Sequence, residues 1–297
     1  MNSEPQAEIR RVTDEDADYP KSLRELADRP KVLYIKGKWP LPETCLFGIV
    51  GSRRATPYGL EAAKRFTTDL VRQGVVTVSG LAAGIDACAH RVTLAEGGWT
   101  VAILGHGFEY VYPKENRILF KQIAEKGTIM TEFPYETPPM AQNFPQRNRI
   151  ISGLSRGVLV VEAAEHSGAL ITARYAGEQG KDVFVVPGSI FSLQSAGCHR
   201  LIKEGARLVE TTEDLLAEYG CQARPAGSER RAAAPSDELL TPMEKTLLEL
   251  LSCIPVSVDE LAEASGISVD RLAEGLLSLE LKGKIQAMPG QLYLRYD

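Results

Sequence analysis

Short, continuous runs of apolar residues recur through the first 220 residues, and most are followed by a stretch with apolar residues at helical spacing. Runs of this length that are rich in β-branched side chains are typical of strands buried on both faces of a sheet. We predict strands at Leu46–Val50, Val75–Ser79, Thr100–Leu104, Thr128–Thr131, Val158–Val161 and Val183–Val186. We predict helices at Tyr58–Arg72, Ile85–Glu96, Asn116–Lys126, Ala169–Gln179 and Thr212–Tyr219. This alternation predicts an α/β fold with a mostly parallel sheet and right-handed crossovers.

The alternation holds only in the middle of the chain, which divides the sequence into four segments. Residues 1–44 are interpreted as a leader with a short helix at Ser22–Ala27 and a strand at Val32–Ile35. Residues 45–220 form the α/β domain. Residues 221–240 are small, polar and proline-rich, which predicts a flexible linker. Residues 241–297 are predicted to form a separate small domain.

The small domain has the pattern of three helices followed by a β-hairpin. The predicted elements are helices from Thr241 to about Leu251, from Ser257 or Asp259 to Ala264 and at Ser268–Lys282, and strands at Ile285–Met288 and Leu292–Arg295. This order predicts a winged helix. The segment contains nine acidic and five basic residues, a net charge of −4 out of −5 for the chain. A helix that reads DNA is normally basic, so we expect this domain to contact protein.

Composition narrows the class of protein. The chain has 297 residues, of which 44% are hydrophobic, and its net charge of −5 excludes a strongly basic protein that coats nucleic acid in bulk. A local basic groove remains possible because net charge averages over all faces. The five cysteines are dispersed, which fits reduced thiols in the cytoplasm, and no metal site is expected. No run is long and apolar enough to predict a signal peptide or a membrane contact.

Glycine-rich loops follow several of the predicted strands. The carboxyl ends of parallel strands meet at one edge of a sheet, where ligands bind. Backbone N–H groups in such loops, and at the helix starts that follow them, suit anions. Several loops of this kind on one edge favour a polyanion over a single small phosphate. The loops carry Gly51-Ser52-Arg53, Gly80, Gly84, Gly105, Ser167-Gly168 and Pro187-Gly188.

Four constellations carry the candidate chemistry, and each also has a structural interpretation. Ser52 and Arg53 suit a phosphate at the start of the next helix, or simply a tight turn. Asp86 and His90 share a helix face, which suits an acid–base or metal pair. We favour a structural interpretation in which Asp86 caps the helix and His90 supports a loop through hydrogen bonds. The last two are the segments 143–149 and 167–173.

Segment 143–149 combines an aromatic residue with two arginines. Arg147 and Arg149 suit bidentate contacts with phosphate, and Phe144 suits stacking on an unpaired base. The alternative is a helix start with Phe144 packed inward. In segment 167–173, Gly168 opens a helix whose free N–H groups suit a phosphate, and the small residues also suit close packing on the sheet.

Taken together and in this order, these motifs resemble the DNA-processing protein A family, called DprA or Smf. The resemblance covers roughly residues 19–215 and includes Gly51-Ser52-Arg53, Ser79–His90, Tyr112-Pro113, Phe144–Arg149, Ser167–Ala173 and Pro187-Gly188-Ser189. It implies an extended Rossmann-like, doubly wound domain that binds single-stranded DNA, with a winged helix. It also implies a cytoplasmic homodimer that protects incoming strands and loads the recombinase RecA in natural transformation. It implies neither catalysis nor a cofactor.

The resemblance also assigns DNA-binding residues. They are Ser52, Arg53, Gly80, Gly84, Phe144, Arg147, Arg149, Ser167, Gly168, Thr172 and Lys181. Ala83 stands where relatives often carry a basic residue, and we expect the N-terminal helical domain of many relatives to be missing. By analogy, Arg200–Val209 and the helix after it are expected at the dimer interface.

Two other functions remain open. One is a nucleotide phosphoribohydrolase, although Ser167–Ala173 lacks the carboxylate that such enzymes carry at this helix start. The other is a sensor that binds a nucleotide messenger in the same crevice and signals through the winged helix.

Overall fold

A computed structural model describes residues 9–39, 45–217, 240–251, 256–288 and 290–295. The chain divides into two compact units, residues 1–226 and 227–297. The predicted linker lies outside the described residues except for residue 240, and so do the last two residues of the helix predicted at Thr212–Tyr219. None of the described helices is long and apolar enough to cross a membrane.

The described part of the first unit is built on a nine-stranded sheet. Its strands are β1 (Arg10–Thr13), β2 (Val32–Gly37), β3 (Leu46–Val50), β4 (Val76–Ser79), β5 (Thr100–Ile103), β6 (Thr128–Thr131), β7 (Gly157–Val160), β8 (Asp182–Val185) and β9 (Arg207–Leu208). Their order across the sheet is β1-β2-β6-β5-β4-β3-β7-β8-β9, and the strands from β6 to β9 run parallel. The prediction of a mostly parallel, Rossmann-like sheet is therefore confirmed.

The segment that we interpreted as a leader belongs to this sheet. β1 pairs antiparallel with β2, and β2 pairs antiparallel with β6, where Tyr34 lies opposite Thr131. The core side chains Leu33 and Ile35 are fully buried. Residues 10–37 thus supply two strands at one edge of the α/β unit.

Helices cover both faces of the sheet. They are α1 (Lys21–Arg24), α2 (Pro57–Arg72), α3 (Ile85–Ala95), α4 (Arg117–Lys126), α5 (Asn143–Leu154), α6 (Ala169–Glu178), α7 (Ala196–Lys203) and α8 (Glu213–Leu216). α2, α3 and α8 enclose one apolar cluster and α4 extends that layer, while α1, α5, α6 and α7 pack on the opposite face. Since the chain crosses from one layer to the other between β6 and β7, the strand order reverses between β3 and β7. Such a reversal opens a crevice at the carboxyl ends of the strands.

The second unit has the helix and strand order predicted for a winged helix. Its elements are α9 (Pro242–Leu250), β10 (Val256–Ser257), α10 (Val258–Ser265), α11 (Val269–Leu281), β11 (Ile285–Met288) and β12 (Leu292–Arg295). Thr241 with Glu244, and Ser257 with Glu260, form reciprocal capping boxes at the starts of α9 and α10. Leu247, Leu261, Leu272 and Leu276 lie in its buried core.

Candidate nucleic-acid interface

A groove of about 880 Å³ lies at the reversal of strand order, along the carboxyl ends of β3 and β7. Three segments form its walls: the loop between β3 and α2, the start of α5, and the loop between β7 and α6. The structure brings together seven of the predicted site residues here: Ser52, Arg53, Phe144, Arg147, Ser167, Gly168 and Thr172.

The rim of the groove carries a cation over one of two neighbouring aromatic rings. The Arg53 guanidinium lies 5.7 Å from the centre of the Phe144 ring, within the range of a cation–π contact. The rings of Phe144 and Tyr112 are 5.3 Å apart and tilted by 37°. Arg53 and Tyr112 are exposed and Phe144 is half-buried. We call these three side chains the stacking face, because it offers a positive charge and an aromatic surface side by side.

The floor of the groove is built around Arg147, which is only 3% exposed. Its Nη1 donates to the carbonyl oxygen of Gly80 at 2.7 Å and to that of Ile103, and its Nε donates to Asn148 Oδ1 at 3.2 Å. Burial lowers the pKa of Arg147 to about 10, an effect that Asp86 opposes, so the side chain stays charged at neutral pH. Arg147 therefore ties together the ends of β4, β5 and α5. Its hydrogen-bonding capacity is largely used within the protein.

Asp86 and Gly80 complete the floor. Asp86 Oδ2 accepts from the backbone N–H groups of Gly80 and Ala82, at 3.1 and 3.4 Å. Burial raises the pKa of Asp86, and Arg147 works against that rise. A Cβ atom on Gly80 would lie 2.6 Å from the Arg147 guanidinium, so only glycine fits there. Gly80 is not among the residues that line the large groove, but it lines a small cavity of about 110 Å³ beside it, together with Arg53, Tyr112 and Phe144.

His90 is not paired with Asp86 in an acid–base site. It is fully buried, and its Nδ1 lies 2.6 Å from the hydroxyl of Thr100. Burial lowers the pKa of His90 to about 3, and the nearby charges of Arg147 and Arg91 add to this effect. The interpretation of Asp86 as a helix cap was wrong, because α3 has no side-chain cap and the Asp86 carboxylate instead holds the loop before the helix. His90 has a structural role, as we interpreted it, but it supports strand β5 through Thr100 and not a loop. Within the described ranges, no group of three or more His, Cys, Asp or Glu side chains is placed to hold a metal ion.

Gly84 joins the first two loops behind the groove wall. It has φ +75°, and a Cβ atom there would collide with the carbonyl oxygen of Ser52. That same oxygen accepts from the N–H of Ile85 at 3.2 Å. The Ser52 hydroxyl is also engaged, since it donates to Gln194 Oε1 at 3.3 Å and accepts from Arg54 N–H at 3.1 Å. These residues shape the groove, and Arg53 is the residue of this loop that reaches the stacking face.

Arg149 does not lie at the groove, which corrects our placement of it there. Its side chain is 8% exposed and makes a two-pronged ion pair with Glu132, with distances of 2.8 and 2.7 Å. Its Nε also donates to the carbonyl oxygen of Asp28 at 3.1 Å. The helical period turns Arg149 away from Arg53, so it links α5 to the segment before β2.

The expectation of a phosphate at the start of α2 also needs correction. Glu162, which is 3% exposed, places its carboxylate there and accepts from Thr56 N–H at 3.1 Å and from the Thr56 hydroxyl. A carboxylate is a favourable partner for the positive end of a helix. The protein's own anion thus occupies the position where a mononucleotide phosphate binds in many Rossmann-like proteins.

The start of α6 forms the opposite wall of the groove. The N–H groups of Ala169 and Leu170 already donate to the side chain and carbonyl of Ser167, at 3.3 and 3.1 Å. The free N–H groups that we expected here are therefore partly engaged. Nothing lies within 4 Å of the Cβ position of Gly168, so the wall is open at this point.

Lys181 lies in a neighbouring cleft of about 850 Å³, outside the groove. The cleft is enclosed by α6, β8, α7 and β9, and it also contains Arg174 and Arg200. The two cavities share Glu165, His166, Ser167 and Ile171, so the start of α6 separates them.

Several groove residues escaped the sequence-based assignment. Arg54, Tyr112, Asn148, His166 and Gln194 all line the groove. Arg54 and Tyr112 lie inside or directly beside motifs that we had recognised, so their position next to these motifs could have identified them as site residues. No sequence signal identifies Gln194 as a groove residue, because its position depends on the fold of the loop after β8.

The fold and the groove define a class: Rossmann-like domains whose strand-end loops form an open, cation-rimmed crevice, joined to a winged helix. Residues 10–220 match the family described as DNA recombination-mediator protein A, and residues 231–291 match the DprA winged helix domain. The chain belongs to this DprA/Smf family.

Its relatives include named proteins and solved structures. Protein Smf of Escherichia coli is 40% identical over 92% of this chain and 74% of its own length. The crystal structure of DprA from Streptococcus pneumoniae aligns with a TM-score of 0.68 at 41% identity and covers 71% of this chain and 74% of that chain. DprA from Helicobacter pylori, described for its single-stranded DNA binding mode, aligns with a TM-score of 0.64 at 30% identity and covers 70% of this chain and 94% of that one.

Proposed function

We propose that this protein binds single-stranded DNA along the groove and acts as a recombination mediator. In this role it protects incoming strands in the cytoplasm during natural transformation and loads RecA onto them. The observation that carries the proposal is the stacking face, where Arg53 lies over Phe144 beside Tyr112 in an open groove. A cation next to aromatic rings suits a phosphate and the face of an unpaired base together. Family membership and the described binding mode of the Helicobacter pylori relative support it.

The groove suits a strand better than a mononucleotide. The helix start that would hold a single phosphate is filled by the Glu162 carboxylate. Asp86, the buried carboxylate of the floor, is held by two backbone N–H groups. The exposed cations Arg53 and Arg54 instead lie along the rim, where successive phosphates of a chain pass. We therefore propose binding without a chemical step, in preference to a phosphoribohydrolase or a nucleotide sensor.

The proposal includes two protein contacts. We propose that the protein acts as a homodimer through the region of Arg200–Val209, since two grooves on one strand give an avidity that one groove lacks. We also propose RecA as the partner that receives the strand. The winged helix, with its excess of acidic residues, is proposed to contact protein.

The first experiment is fluorescence anisotropy of a labelled oligonucleotide, in single- and double-stranded form, at two salt concentrations. Wild type is compared with Arg53→Ala and with Arg65→Ala, which removes an exposed arginine of α2 outside the groove. Loss of a charged contact is expected to weaken single-strand binding at least tenfold in Arg53→Ala. The slope of log K against log salt should also fall by about 0.7, as expected for one phosphate contact. Arg65→Ala should bind within twofold of wild type.

Three results would contradict the proposal. They are equal affinity for duplex and single strand, displacement of the oligonucleotide by micromolar mononucleotide, and unchanged binding by Arg53→Ala. RecA loading is tested separately, by RecA filament assembly on a strand already coated with single-strand binding protein. Wild type should accelerate assembly and Arg53→Ala should not.

A further inference from the structure

Three large apolar side chains point outward from the loop that follows β8. Ile190 is 81% exposed, Phe191 91% and Leu193 84%. We call these three residues the apolar lip. An exposed group of large apolar side chains on one short loop marks a binding surface more often than a chance arrangement.

Hydrogen bonds at the base of the loop hold the lip in this position. The Tyr58 hydroxyl donates to the carbonyl oxygen of Pro187 at 2.6 Å, and His199 Nε2 lies 3.0 Å from that of Gly188. Within the loop, the N–H of Phe191 donates to Ser189 Oγ at 3.2 Å, and the N–H of Ser192 donates to the Ser189 carbonyl at 3.0 Å. The turn itself therefore directs the three side chains into solvent.

The lip continues the wall of the groove. Leu193 lines the groove together with Gln194, whose side-chain oxygen accepts from the Ser52 hydroxyl. Ile190 and Phe191 precede Leu193 in the same short loop. The lip therefore borders the groove through Leu193, next to the contact between Gln194 and Ser52.

We propose that the apolar lip is a second base-stacking surface, with Phe191 as the main contact for an unpaired base of a strand that leaves the groove. The inference rests on the proposed function of the groove. The lip carries no charge and so contributes through the faces of bases, while Arg53 and Arg54 hold phosphates. Every base has a face that can stack, so the contact is tolerant of sequence. Paired bases in a duplex hide those faces, so the lip favours single strands.

The size of the lip favours a base over a protein partner. A stable protein interface buries roughly 800 Å² on each partner, and three side chains offer less than this. Ser189 and Gln194, which flank the lip in sequence, are polar, and so is Ser192 within it. A patch of this size matches one or two bases.

The test compares Phe191→Ser with Leu281→Ser, a control that removes another highly exposed apolar side chain (81%, against 91% for Phe191) from α11 of the other unit. Each protein is titrated with an ordinary single strand and with a strand of the same length that carries abasic sites along its whole length. Phe191→Ser is expected to weaken binding of the ordinary strand about tenfold, within the range measured for base–aromatic stacking. Binding of the abasic strand should change less than twofold. Leu281→Ser should behave as wild type on both.

Arg53→Ala separates this inference from the function on which it rests. That variant should weaken binding of both strands, because it removes a phosphate contact. If wild type binds no single strand, the proposed function fails. If Arg53→Ala weakens binding and Phe191→Ser does not, or if Phe191→Ser weakens both strands equally, only the inference is overturned. A lower mass of Phe191→Ser in sedimentation velocity, with unchanged DNA affinity, would assign the lip to an interface between copies and also overturn it.

Discussion

Arg53 at the rim of the groove and Arg149 behind its floor lie at the same edge of the sheet, and their surroundings differ completely. Arg53 is exposed and rests on an aromatic ring. Arg149 is buried in a two-pronged ion pair with Glu132. Arg147, two residues before it, is buried as well and bonded to two backbone carbonyls. An arginine-rich motif beside the groove can therefore serve mainly to hold the loops that form it.

This contrast divides the site into a binding layer, which contains the exposed Arg53, and a supporting layer, which contains the buried Arg147 and Arg149. Substitutions in the binding layer should change affinity and leave stability almost unchanged, since its side chains make few contacts in the folded protein. Substitutions in the supporting layer should lower the free energy of unfolding, because they leave buried charges without partners. The predictions below test this division in order of decreasing effect.

The largest effect is expected for Arg149→Ala. It removes one partner of a buried ion pair and leaves the Glu132 carboxylate uncompensated, which lowers the free energy of unfolding by roughly 3–5 kcal/mol. Urea unfolding followed by circular dichroism measures this change. The fraction that remains folded should bind single-stranded DNA within about twofold of wild type.

A double variant provides the control for Arg149→Ala. In Arg149→Met with Glu132→Leu, both charges are absent and apolar side chains fill the space, so most of the lost stability should return. If Arg149→Ala instead kept its stability and lost DNA affinity, Arg149 would belong to the binding layer.

The second prediction concerns His90, which is buried beneath the floor. Its pKa in the folded protein is about 3, below the ordinary value of 6.5. The unfolded chain therefore binds a proton that the folded protein refuses, and stability falls as the pH drops below about 6.5 towards 3. The loss is about 1.4 kcal/mol per pH unit, or roughly 2 kcal/mol at pH 5.

A variant that cannot titrate isolates this contribution. His90→Gln keeps a polar side chain that can bond to Thr100 and carries no ionisable group. Urea unfolding at pH 7 and pH 5 should show a decrease in stability that is about 2 kcal/mol smaller in the variant than in wild type. Equal decreases would mean that His90 is already able to accept a proton in the folded protein.

Most of the fold could be predicted from the sequence, and the reason is burial. Parallel strands covered on both faces must be apolar throughout, so β3 and β6 were predicted at their observed bounds and four other strands within one residue at either end. β1 was missed because its sequence, Arg-Arg-Val-Thr, is that of a polar edge strand. Because β1 was not predicted, we assigned residues 1–44 to a separate leader and not to the sheet.

The site could be predicted only in part. Sequence motifs located the loops correctly, since glycines and strand ends are local signals. Which arginine is buried depends on partners far away in sequence: Glu132 is 17 residues from Arg149, and Ile103 is 44 residues from Arg147. The start of α5 was not predicted, because its buried face carries arginine and asparagine side chains where a helix pattern normally shows apolar ones.

The third prediction concerns Glu162, the carboxylate at the start of α2. Glu162→Gln preserves the shape of the side chain and removes its negative charge from the positive end of the helix, which lowers the free energy of unfolding by about 1 kcal/mol. Thermal unfolding at neutral pH measures this loss. Glu165→Gln is the control, because it removes an exposed charge near the groove that caps no helix. A more stable Glu162→Gln protein would contradict the capping role.

The smallest effect is expected for Arg53→Lys. This variant separates the contribution of the positive charge at the rim from that of the flat guanidinium group. Lysine keeps the positive charge, so the dependence of affinity on salt should match that of wild type. It lacks the flat guanidinium that rests on Phe144. Affinity for a single strand should fall only about threefold, in line with a cation–π contribution of roughly 0.5–1 kcal/mol at an exposed site. Stability should stay within about 0.5 kcal/mol of wild type, as is usual for surface substitutions. A full loss of binding would show that the rim requires the paired N–H donors of arginine; unchanged affinity would show that charge alone acts there.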